Sequence, residues 1–230
     1  MKHRWFFLLF FCFFYSLSLW AEYSPRIWLN SSAGAAYHSV DPELEQLFSK
    51  AEAKDIPGDI IVDKIKEGAA KVASGLQMVQ ALNAEVERLT TAVNLLSKEG
   101  RNLSGERSLA LRAISLLLQG GMHVDTIDAV LEYASLLQKP SSRAIAALSA
   151  SFRVIAIAQA PADLLRPLSE SLVRSTLQDP QFVQLSSLAV RAKSKQLKGE
   201  QLIKMMIGSL DSGGGLTALD RDLQRRSQRP

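Results

Sequence analysis

Apolar residues recur at intervals of three and four along nearly the whole chain, the spacing of one helix face. The clearest stretch is Ile56 to Gly100. There Val79, Val86 and Val93 alternate with Leu82, Leu89 and Leu96, so all six fall on one stripe. Ser74-Gly75-Leu76-Gln77 reads as a capping box and divides this stretch into two helices, against the competing reading of one helix from 58 to 98. The first of the two opens at Pro57 and turns Ile61, Ile65, Ala69 and Val72 inward. Before it, Asp41-Pro42-Glu43 starts a helix with Asp as N-cap and Pro as first helical residue, and Leu44, Leu47, Phe48 and Ala51 form its apolar face.

The pattern continues downstream. Ser104 caps a helix with Leu109, Ala113, Ile114 and Leu117 inward, closed by Gly120-Gly121. Asp125 to Gln138 carries Ile127, Val130, Leu131, Ala134 and Leu137 on one face. Ile145, Leu148, Phe152 and Ile155 follow Pro140, and Pro161 begins a further helix that Pro167 either kinks or starts. Asp179-Pro180 repeats the Asp-Pro start before Phe182, Leu185, Leu188 and Ala189, and Glu200 to Leu210 forms a last short helix. Period-two alternation bounded by turn residues is absent. The expected fold is therefore all-α with no sheet, either stacked helical hairpins of α-solenoid-like form or a compact helix bundle.

An internal repeat favours the hairpins. A shift of 66 residues lays Pro57 on His123, Asp59 on Asp125, Ile61 on Ile127 and Ile65 on Leu131. Beyond the turn it lays Val79 on Ile145, Leu82 on Leu148, Val86 on Phe152 and Leu89 on Ile155. A weaker third copy begins 38 residues later, with Pro161, Asp163, Leu165 and Leu168, and Asp179-Pro180 at its turn. One hairpin cannot bury its own apolar face, whereas neighbouring hairpins can bury each other's.

The segment from Ile56 to Lys71, with an apolar-Pro pair opening a helix and Lys64, Glu67 and Gly68 in its middle, resembles a recurrent helical segment of exported bacterial all-helical repeat-like proteins without assigned function. That resemblance implies an exported helical protein and assigns no catalytic residue.

The two ends differ from the middle. Lys2, His3 and Arg4 precede an apolar run from Trp5 to Trp20 that holds six of the nine Phe, and Ala21 is a suitable last residue before cleavage. That is the form of a secretory signal peptide over residues 1–21, and the 16-residue run falls short of the roughly 20 residues of a spanning helix. An uncleaved N-terminal anchor is the alternative. Cys12, the single cysteine, lies inside the run, so the mature chain holds no disulfide and no thiolate. Residues 22–40 read as an irregular leader, 41–211 as the helical-hairpin domain and 212–230, after Ser212-Gly213-Gly214-Gly215, as a flexible basic tail.

Loss of Lys2 and Arg4 leaves 25 basic against 23 acidic residues, and nine of those basic residues lie beyond residue 190. Arg191, Lys193, Lys195, Lys198, Arg221, Arg225, Arg226 and Arg229 are accordingly candidate contacts for an anionic surface, an acidic protein or a cell-wall polymer. Export disfavours nucleic acid as that partner. Asp59, Asp63 and Glu67 recur at four-residue intervals as a carboxylate row, but Lys66 and Lys71 stand where helix ion pairs would neutralise it. His123, Asp125 and Asp128 are a weak metal-ligand pattern in which Asp125 reads better as an N-cap, and His38 has no evident partner. No nucleophile-elbow or phosphate-loop pattern occurs, and no cofactor or metal site is expected. The expected function is a non-catalytic binding or structural protein of the bacterial envelope, with a periplasmic carrier or chaperone for an apolar ligand such as a lipid as the alternative.

Overall fold

A computed structural model describes residues 24–101, 106–194, 197 and 199–226. Within them the fold is all-α, with eleven α-helices, three short 3-10 turns and no strand. The helices are α1 (Pro25–Leu29), α2 (Asp41–Glu52), α3 (Gly58–Ala70), α4 (Gly75–Leu96), α5 (Arg107–Gln119), α6 (Val124–Leu136), α7 (Ser141–Ala158), α8 (Leu165–Arg174), α9 (Val183–Ser194), α10 (Gly199–Asp211) and α11 (Leu216–Arg226). By their contacts the described residues gather into two compact units, unit one before Asn94 and unit two from Asn94 on. The signal segment 1–21, Ser104, Lys195, Lys198 and Arg229 lie outside the described residues.

One connector recurs between helices. A residue with positive φ ends a helix, and the next helical turn starts three residues later. It is Asp55 before Gly58, Val72 before Gly75, Gly121 before Val124, Gln138 before Ser141, Gln159 before Ala162 and Gly213 before Leu216. The following N–H reaches back five residues, as from Ala73 to the Gly68 carbonyl at 3.0 Å and from Lys139 to the Ala134 carbonyl at 2.8 Å. That bond satisfies a helix-terminal carbonyl in the manner of a Schellman closure.

The connector carries the 66-residue register into three dimensions. α3 and α6 are each 13 residues long, their N-caps are Pro57 and His123, and Val72 and Gln138 both have φ near 55°. Asp59 and Asp125 both sit in a first helical turn, not at the cap, and the same holds for Asp41 in α2. The third copy spans the 3-10 turn Ala162–Leu164 with α8, then the 3-10 turn Asp179–Phe182 with α9. Pro167 falls in the first turn of α8, where its missing N–H costs no helical bond. Helices α3 and α4 are separate: the Ser74 N–H donates to Gln77 Oε1 at 2.9 Å and the Gln77 N–H to Ser74 Oγ at 3.4 Å, the reciprocal bonds of a capping box.

Several inward assignments shift. On α4, Met78, Leu82, Val86, Leu89, Ala92 and Leu95 are buried, whereas Val79, Val93 and Leu96 are half-buried. A helix of 3.6 residues per turn drifts off a strict seven-residue stripe. Val72 stands exposed because it forms the left-handed connector, and Ala69 is half-buried. Leu109 and Leu137 are also exposed.

The leader of unit one is ordered. Pro25 opens α1, whose Trp28 and Leu29 are buried, and the 3-10 turn Ala35–Val40 buries Tyr37. The Trp28 and Tyr37 rings lie 5.9 Å apart, and the Tyr37 hydroxyl donates to the Ala73 carbonyl at 3.2 Å. Arg26 pairs with Glu45 at 2.8 Å and with Glu52, binding α1 to α2, and both carboxylates hold its guanidinium in the charged form. Gly34 passes so close to the Leu29 backbone that an added Cβ would sit 2.1 Å from its oxygen. An irregular leader fails as a description because its apolar residues have a core to join. His38, expected without a partner, lies 3.0 Å from Asp41.

In unit two, α7 is the centre. It packs against α5, α6, α8, α9 and α10. Alanines at 144, 147, 150 and 158 let five neighbours approach, between Ile145, Leu148, Val154 and Ile155. Among the described residues α7 is long and apolar enough to cross a membrane, with mean hydropathy 1.3 over 18 residues, 61% of that window being buried in the protein. Its neighbours account for its apolarity. The expected flexible tail is a helix through Arg226: α11 packs on α9 and α10 and buries Leu219.

Candidate functional site

Unit two carries a groove of about 370 Å³ over α7. Ala146, Ser149 and Ala150 of α7 form its floor, with Leu109 of α5 on one side and Phe182 and Val183 on the other. Small residues are why a groove exists. α5 and α9 both pack on α7, and side chains no larger than Ala or Ser leave the space between them unfilled. Leu109 is 61% exposed and Val183 60%, although each borders apolar surface. Such a cleft offers apolar contact with few polar groups, the character of a recognition surface.

Beneath one end of the groove lies Arg143, buried in the first turn of α7. It donates to the carbonyls of Leu172, Val173 and Leu177 at 2.9 Å each and of Ser175 at 2.6 Å. It also pairs with Asp179 at 2.5 Å, and its guanidinium lies 5.0 Å from the Phe182 ring centroid. One side chain thereby satisfies the open carbonyls at the end of α8 and fixes the turn that leads to α9 and the groove wall. The inward assignment on α7 missed it because it followed the face of Ile145 and Leu148. Arg143, Ala147, Ala150 and Val154 form a second face, and an arginine among small apolar residues there was the available signal.

The groove was missed for a related reason. In α5, Ala110, Leu111, Ile114 and Leu117 are buried while Leu109 and Leu116 are exposed. Apolar residues occupy more of that helix than one buried face requires, and the 3-4 spacing alone does not say which side is covered.

Unit one has a second groove, of about 660 Å³, between α1, the end of α2 and the start of α3. Phe48, Ala51, Ile56 and Ile61 line it together with Glu52 and Asp59.

Three of the basic candidates have described side chains: Arg191, Lys193 and Arg221. Arg191 is paired with Asp220 at 3.1 Å, which binds α9 to α11 and spends its charge internally. Lys193 and Arg221 are exposed. Arg225 and Arg226 lie in the backbone of α11, with side chains outside the described set, as Lys195, Lys198 and Arg229 are altogether.

The carboxylate candidates are engaged. Glu67 accepts from Lys64 at 2.9 Å and from Lys71, and these bonds lower its pKa to about 2. Asp59 and Asp63 also have partners. Asp128 accepts from Lys98 at 2.7 and 2.8 Å and from Arg101 at 2.5 Å. Burial pushes the Asp128 carboxyl up, and the two cations outweigh that and hold it below its ordinary value. Lys98 and Arg101 thus engage the carboxylate of the weak metal-ligand pattern. Among the described residues no group of three His, Cys, Asp or Glu is placed to hold a metal. Arg174 joins Tyr133 and Asp211 at 2.6 and 2.7 Å, a surface tie between α6, α8 and α10. No family model, characterised protein or solved structure matches this chain.

Proposed function

We propose that the chain is exported across the inner membrane of a bacterium, processed after Ala21, and serves in the envelope as a non-catalytic binding or structural protein whose contact face is the groove over α7. The observation that carries the binding reading is the contrast between two kinds of residue. Glu67, Asp128 and Arg191, three of the charged groups that stood out as chemistry, are engaged in ion pairs with this chain's own residues, while Leu109 and Val183 border an open apolar groove. Export rests on the basic start, the apolar run from Trp5 to Trp20 and the small residue at Ala21. The test is expression of the tagged full chain in a bacterial host, with fractionation and N-terminal sequencing. An envelope protein beginning at Glu22 is expected. A chain retaining Met1 in the cytoplasm overturns the export reading.

A second reading, a carrier or chaperone for an apolar ligand such as a lipid, is favoured by the groove of unit one, whose size suits a small ligand and whose lining includes Phe48, Ile56 and Ile61. Native mass spectrometry of gently extracted protein should then show a lipid-sized adduct, lost on Ile61→Asp. A bare chain counts against it.

A further inference from the structure

The groove over α7 carries charge at its two ends, and the sign differs. Glu106 lies at one end and Arg153 toward the other. The first half of α5, from Glu106 to Ala113, lines the groove with α7 from Ser142 to Arg153, while beyond the end of α5 a Cβ on Gly120 would meet Phe152 at 2.7 Å, so α5 and α7 run in the same direction. Glu106, the N-cap of α5, therefore belongs to the end where α7 begins. Arg153 is eleven residues along α7 from Ser142, roughly 16 Å at the helical rise. Among the described residues neither Glu106 nor Arg153 forms an ion pair. The other acid at that end, Asp179, is taken by Arg143.

Both flanks carry a second apolar residue seven positions on. Leu116 follows Leu109 on α5 at 65% exposed, and Val190 follows Val183 on α9 at 56%. Seven residues return to nearly the same side of a helix, so each flank presents a two-turn apolar edge with small residues between.

From this we infer that the occupant of the groove is a second copy of the chain, related by a two-fold axis across α7. The inference rests on the reading of the groove as the contact face and names its partner. A two-fold interface brings the same patch from each copy, with residue i on j and j on i. An antiparallel approach sets Arg153 of each copy against Glu106 of the other, so one arrangement neutralises both charges twice. Leu109 and Leu116 of each copy then enter the other's groove, over Ala146, Ser149 and Ala150, where small side chains admit a closely packed helix. A groove with one sign of charge at both ends would repel its own copy. The mature chain has no cysteine, so the association is non-covalent.

The test is sedimentation velocity on the full-length mature chain at micromolar concentration, with charge reversal at both positions. The wild type is expected at twice the mass of one chain. Arg153→Glu and Glu106→Arg should each weaken association at least about tenfold, because like charges then face each other. The double variant should recover most of that loss, since the pair is restored in the opposite sense. Both residues are exposed, and circular dichroism will verify that each variant is folded. A monomeric wild type, a dimer indifferent to either reversal, or a double variant no better than the singles overturns the proposal. A monomer carrying a lipid or another protein overturns it too, yet leaves the groove as a contact face. Failure of the export reading is detected separately, by the N-terminal residue.

Discussion

Arg143→Met is the most informative single change to the interior of unit two. Methionine keeps an unbranched apolar stem of similar reach but removes every donor. The carbonyls of Leu172, Val173, Ser175 and Leu177 lose a charged partner, and Asp179 loses its cation. Each hydrogen bond to a charged group contributes about 1.5–3 kcal/mol, but bonds made by one side chain do not add. Part of the loss is recovered, because the arginine no longer has to be desolvated and Ser175 and Asp179 regain water. Breaking a buried charged network by removing one partner costs about 3–5 kcal/mol, and that is the expected loss here. It is a large fraction of the roughly 5–15 kcal/mol of a whole domain. The assay is urea unfolding followed by helical circular dichroism, with Lys193→Met as a surface control expected within about 0.5 kcal/mol of wild type. A loss below about 1 kcal/mol for Arg143→Met, at an unchanged dependence on urea, would refute the assignment of Arg143 as the residue that closes α8 and sets the groove wall.

Three further outcomes follow from other parts of the fold. Gly34→Ala should destabilise unit one by about 1–3 kcal/mol, because its Cβ would collide with Leu29 backbone that has nowhere to yield; an unchanged melting temperature would restore the irregular leader. Val72→Gly should stabilise by roughly 0.5–1 kcal/mol, since a β-branched residue at φ 55° and 87% exposed gains strain and little contact, and the entropy of glycine offsets only part of the relief. Acid should weaken unit two through Asp128 and Asp211, whose folded pKa values lie below the ordinary 3.8. Carboxylates depressed in this way stabilise the fold above their unfolded pKa, and that contribution is lost as pH falls through the folded value. Stability measured against pH should therefore drop below about 4, and less steeply in Asp128→Asn.

How far the sequence speaks depends on which physical signal a residue carries. The all-α fold was legible because the 3.6-residue period recurs in almost every segment, and it needs no tertiary information. The local match of α3 with α6 was legible through Pro57 against His123, whereas the connectors at Val72 and Gln138 were not, because Val72 continued the apolar spacing of the helix. The division at residue 93 was not, since α4 runs through it without a breaker and periodicity does not record where contacts are sparse. Ordering of residues 25–40 escaped because α1 is five residues long, too short for a periodic signal, and its stability comes from Trp28, Tyr37 and Arg26 meeting α2 and the connector at Ala73. The helix at 216–226 escaped for another reason: among its described side chains Leu219 is the buried one and Asp220 the ion-paired one, within a polar sequence. Of the candidate site, the basic residues stood out by composition, yet Arg191 is committed to Asp220. Leu109 looked like an ordinary core residue, and only its neighbours reveal an open groove.

The groove over α7 is the face at which we propose that this protein meets a partner. The direct measurement is photo-crosslinking in intact cells from an unnatural side chain placed at Leu109, compared with the same group at Leu136, which is 75% exposed and does not line the groove. A discrete covalent product from position 109, and none from 136, is the predicted result. No product from position 109, or equal products from both, contradicts it.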